Sequence, residues 1–69
     1  MNIIINCHYT LLDTIKKLNL NYTDNLTNVD VTIPYTKEIE NVNNKYDSDE
    51  EFVNYFGLDY DLVNCIELV

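Results

Sequence analysis

The chain has 69 residues, a net charge of −8, 46% apolar and 12% aromatic residues, one glycine and one proline. A domain this short hides only about 60% of its unfolded surface and has little room for an enclosed active-site pocket. The apolar content excludes a disordered acidic tail, the shortage of Lys and Arg excludes direct nucleic-acid binding, and no apolar run approaches the roughly 20 residues of a membrane span.

In chain order, residues 2–7 read as a strand, with Ile3, Ile4 and Ile5 continuous and β-branched. A consecutive apolar run of this kind suits a strand covered on both faces. Thr10 is placed to cap a helix whose stripe is Leu11, Leu12, Ile15 and Leu18, with Lys16 and Lys17 at its negative end. Residues 19–28 are Asn-rich and predict a loop. Val29, Val31, Ile33 and Tyr35 alternate with polar residues and predict a second strand, with Pro34 at its end. The two strands can pair in parallel across the helix or antiparallel beneath it.

Thr36 can cap a helix striped by Ile39, Val42 and Tyr46. Next, Ser48-Asp49-Glu50-Glu51 forms a capping box ahead of Phe52, Val53, Tyr55 and Phe56, and Gly57 can end that helix in a left-handed conformation. Asp59 can cap a last helix striped by Leu62, Val63, Ile66 and Val69; a third strand is the alternative. The expectation is one α/β (α+β) domain over residues 1–69, with two to three short strands and three to four short helices.

Charge is distributed unevenly along this domain. Residues 46–69 hold seven carboxylates (Asp47, Asp49, Glu50, Glu51, Asp59, Asp61 and Glu67) and no Lys or Arg, whereas residues 1–45 hold five acids against four lysines. A one-sign field over a third of a small protein costs self-repulsion. The eleven Asn, seven Ile and six Tyr also suggest A/T-rich coding, which would ordinarily bring abundant Lys. The scarcity of Lys therefore implies selection against positive charge, and the composition suggests a phage or mobile-element origin.

Most chemical motifs fail. Residues 47–51 resemble the start of a calcium loop, but Phe52 stands where a sharp turn needs Gly and Leu58 where a bidentate Glu is needed. Cys7 and His8 are adjacent and would face opposite sides of a strand. Two Cys and one His at scattered positions make a poor zinc set, and one glycine cannot build a phosphate loop. No catalytic residue, metal or cofactor is expected. Met1-Asn2-Ile3 lacks the basic start of a secretory signal, so a reducing cytosol, that of the host cell, is expected, with Cys7 and Cys65 as buried thiols and no disulfide.

What remains is the acidic segment, about residues 46–69. Duplex DNA carries one negative charge per about 1.7 Å of axis, and helix residues three or four apart lie roughly 5–6 Å apart at Cβ. Short helices bearing these carboxylates can present a track comparable to phosphate, with Tyr46, Tyr55 and Tyr60 supplying amphipathic contact area. Such a surface would fill the basic groove of a nucleic-acid enzyme and exclude its substrate. Glu67 is a candidate rim contact.

In size, charge and the stretch Tyr46-Asp47-Ser48-Asp49-Glu50-Glu51-Phe52, the chain resembles the small acidic phage proteins that block host defence, the anti-CRISPR proteins and antirestriction DNA mimics. The resemblance implies a stoichiometric inhibitor, not an enzyme, bound to a Cas effector or restriction nuclease, with Asp47, Asp49, Glu50 and Glu51 facing the Arg and Lys that hold DNA. Tyr55-Phe56-Gly57 followed by Asp61 is also similar to the start of the inhibitory helix of the barstar family, where the motif sits mid-chain. A second reading, from another class, is a phage structural or regulatory module that binds protein subunits or itself through Phe52, Phe56 and Leu62.

Overall fold

The computed structural model describes all 69 residues. In chain order the elements are β1 (Asn2–His8), α1 (Leu12–Lys17), β2 (Asn21–Asp24), β3 (Asn28–Pro34), α2 (Lys37–Lys45), α3 (Asp49–Tyr55) and β4 (Val63–Leu68), with 3-10 turns at Tyr9–Leu11 and Tyr60–Leu62. The strands form one antiparallel sheet in the order β2-β3-β1-β4. This is an α+β domain with four strands, one more than the upper expectation. No helix is long and apolar enough to cross a membrane.

The additional strand is β2, inside the segment expected to be a loop. All four of its residues are exposed, so it has no apolar alternation to announce it. Backbone pairing with β3 holds it, from Asn21↔Thr32 to Asp24↔Val29. The reversal between them places Leu26 at a φ of 73°, where the Asp24 carboxylate accepts from its N–H at 3.0 Å. β2 also settles the open question of direction: one more reversal of the chain returns β3 antiparallel to β1.

The core lies on one face of the sheet. Ile3, Ile5 and Cys7 of β1 and Val29, Val31 and Ile33 of β3 pack against Leu11, Ile15, Phe52, Val53 and Leu58. β1 is therefore covered on one side, not two. Ile4 between its buried neighbours is half-buried, and the opposite face of the sheet is polar and open. There Asn64 Nδ2 donates to Asn6 Oδ1 at 2.9 Å, and Asn6 Nδ2 and Asn25 Nδ2 donate to the two oxygens of Asp30 at 2.6 and 2.8 Å. This chain of amides ties three strands and the β2–β3 loop together without apolar cover.

The helix starts are set by short polar side chains. Thr36 Oγ1 accepts from Ile39 N at 3.2 Å and Ser48 Oγ from Glu51 N at 3.3 Å, both at expected caps. At the first helix His8 Nδ1, not Thr10, accepts at the start of the 3-10 turn that leads into α1. Gly57 adopts a φ of 87° as α3 ends, and a Cβ there would lie 3.2 Å from two carbons of the Leu18 side chain. Asp59 caps only a 3-10 turn, because the chain then becomes β4 rather than a last helix. The even-numbered residues of β1 aim their backbone groups at β4, and a helix over 63–68 would leave them unpaired.

Cys7 is buried and Cys65 exposed, which corrects the expectation of two buried thiols. Cys65 pairs with Asn6 in the ladder, so it lies on the open face while Cys7 points into the core.

Candidate anionic interface

The seven carboxylates of residues 46–69 are all exposed. Asp49, Glu50 and Glu51 form the first turn of α3, where the helix dipole favours negative charge. Asp47 directly precedes the cap. The turn is anchored from beneath by Phe52, 4% exposed, and Val53, fully buried. A well-packed pair of side chains thus holds the backbone that carries three carboxylates, none of which has an ion-pair partner.

Asp59 and Asp61 lie on the 3-10 turn that packs against α3. Asp59 Oδ1 accepts from Asp61 N at 3.0 Å, so one carboxylate holds the backbone that carries the other. Glu67 stands apart. It pairs with Ile4, between residues whose side chains face the core, and so projects from the open face of the sheet, opposite the helices.

Of the aromatics, Tyr55 and Tyr60 are exposed and Tyr46 is half-buried. The rings of Tyr46 and Tyr55 lie 6.1 Å apart, and Tyr55 and Phe52 each meet Phe56 edge-on at 5.1 Å. A continuous aromatic row therefore runs from Phe52 through Phe56 and Tyr55 to Tyr46, buried at Phe52, exposed at Tyr55 and half-buried at Tyr46. Lys45, the last cation of the chain, places Nζ 5.7 Å from the Tyr46 ring centroid. The single ion pair of the molecule is Lys37–Glu40 at 3.0 Å, in α2. None of the seven carboxylates has a cationic partner. Among the apolar residues considered for self-assembly, Phe52 is buried and Phe56 and Leu62 are half-buried, so all three already serve the core.

No three His, Cys, Asp or Glu residues converge on a point that could hold a metal ion. Burial pushes the Cys7 thiol up to about 11, with smaller contributions from Asp30 and Cys65. It is a neutral core group, hydrogen-bonded to Ile5 O at 3.7 Å.

Two features escaped sequence reasoning. One is a shallow cleft of about 120 Å³ lined by Ile3, Tyr35, Asp49, Phe52, Ile66 and Leu68, which brings an α3 carboxylate beside apolar β4 side chains. The other is the place of β4 at the edge of the sheet; the strand itself was the alternative left open for this segment. The alternation of Ile66 and Leu68 with Cys65 and Glu67 favoured it, and the helical stripe of the same residues competed with that signal.

No protein-family model matches the sequence, no curated protein is significantly similar to it, and no solved structure is significantly similar to its fold.

Proposed function

We propose that the chain is a stoichiometric inhibitor that occludes the basic groove of a nucleic-acid-handling enzyme, in the manner of anti-CRISPR or antirestriction DNA mimics. The observation that carries this reading is the set of uncompensated carboxylates on α3 and the adjoining turn, held on a rigid core anchor. Asp47, Asp49, Glu50, Glu51, Asp59 and Asp61 would meet Arg and Lys of the target. Tyr46, Tyr55 and Tyr60 would supply contact area at low entropic cost. Glu67, on the opposite face of the sheet, lies outside this patch.

Anchoring is what separates this arrangement from a merely soluble surface. A turn whose backbone is already fixed need not be ordered on binding, so more of the attraction of its carboxylates appears as affinity. Opposite charge would also speed capture, in the host cytoplasm, of an enzyme already selected to attract polyanions.

The test is capture by the tagged chain from bacterial lysate, with identification of what co-elutes. The reading expects a basic nucleic-acid enzyme, released as salt rises from low to physiological strength and displaced by duplex DNA or RNA. A captured partner that ignores both salt and nucleic acid would favour apolar assembly instead.

A further inference from the structure

We propose that the free edge of β4 binds an extended, basic segment of the partner protein as a fifth strand. The inference deepens the anionic-inhibitor reading and rests on it for the choice of occupant.

The backbone supplies the first argument. Asn2 and Val69 exchange a pair of hydrogen bonds of 2.7 and 2.8 Å. With a period of two, the next pairs bonded to β1 are Ile4 with Glu67 and Asn6 with Cys65. The N–H and C=O groups of Ile66 and Leu68 therefore point away from β1, and β4 ends the sheet. An unpaired edge of this kind is a ready template for another strand.

The side chains supply the second. Ile66 and Leu68 reach the cleft formed with Ile3, Tyr35 and Phe52, and Leu68 is 57% exposed despite its apolar character. A strand added beside β4 would send alternate side chains over this cleft and the others over the open face, beside Glu67. Its natural pattern is apolar toward the cleft and Lys or Arg toward Glu67, with Asp49 on the cleft wall for a further cation.

Charge decides the occupant. A second copy carries the same net charge of −8 and would set one acidic C-terminal third against another. Like charge across a strand pair is destabilising. A basic segment reverses that sign and gains from every carboxylate nearby.

The experiment titrates the isotopically labelled full chain, at low salt, with a synthetic peptide of about six residues alternating Val and Lys, the length of β4. Backbone amide resonances of Ile66 and Leu68 are expected to shift, and those amides to exchange more slowly with solvent. N-methylation of the peptide amides that face β4 should abolish binding to the unaltered protein. Leu68→Pro removes an outward N–H without touching the ladder to β1, and should weaken binding about tenfold. Shifts confined to residues 47–61, or none, would overturn the edge site while leaving the anionic surface intact. The same shifts on concentrating the protein without peptide would make a second copy the occupant and overturn the choice. Loss of the anionic-surface reading shows elsewhere, in nuclease inhibition by α3 charge variants.

Discussion

α2 and α3 follow each other in the chain and are capped in the same way, yet they do opposite things. α2 buries no residue; Ile39 and Val42 only lean on the core, and its Lys37 and Glu40 neutralise each other. α3 buries Phe52 and Val53 and carries three carboxylates that nothing neutralises. The loosely held helix is charge-balanced, with two lysines against two glutamates, and the firmly held one is not. Of the two helices, the one with uncompensated charge is the one whose side chains enter the core, an arrangement that suits a charge-based binding surface and that a solubilising surface does not need.

The comparison breaks most decisively at the anchors. Phe52→Ala should destabilise the domain by about 3–5 kcal/mol, close to the whole stability of a chain this size. Phe52→Leu, a smaller change in shape, should fold with a loss of about 1.5 kcal/mol or less. Ile39→Ala, at a half-buried site, should lose about 1 kcal/mol. Urea denaturation of the three variants orders them. Equal losses from Ile39→Ala and Phe52→Ala would mean that α2 is as integral as α3.

The caps sharpen the same contrast more finely. Ser48→Ala should lower global stability by about 1 kcal/mol. Thr36→Ala removes an equivalent hydrogen bond, but α2 can fray without unfolding the sheet. Its effect should appear as faster amide exchange within Lys37–Lys45 and only a small change in the global midpoint.

The thiols repeat the theme of anchored against free. Cys65 should be alkylated readily in the native protein and Cys7 only on unfolding. Because burial raises the Cys7 thiol from 9.0 to about 11, the unfolded chain ionises first as pH rises. Stability should therefore fall between about pH 9 and about pH 11, and less so in Cys7→Ala. Equal pH dependence in both proteins would mean that ionisation of Cys7 does not set the loss.

How much of this was legible in sequence depended on how local the cause was. Ser48, Thr36 and Gly57 act within a turn of their own position, and each does what its neighbours imply. β3 was legible because its alternation is strict. β2 was not, since Asn21, Tyr22, Thr23 and Asp24 bury nothing and owe their conformation to a partner strand. β4 stayed open between two readings: Leu62, Val63, Ile66 and Val69 fit a helical stripe, and only the unmet backbone groups of β1 select the strand. The acidic segment was visible as composition. Its division was not, because only the sheet's register sends Glu67 to the face away from α3. No local signal separated Cys65 on the wet face from Cys7 beneath the helices.

The central claim is tested most directly by reversing the charges of α3. Purified wild-type protein and the Asp49→Lys, Glu50→Lys, Glu51→Lys variant are each titrated into guide-loaded Cas nucleases and restriction nucleases cleaving duplex DNA. Circular dichroism first establishes that the variant is folded. The account predicts that the wild type stops one of these enzymes at a near-equimolar ratio and that the variant leaves cleavage untouched. Undiminished inhibition by the folded variant would contradict it.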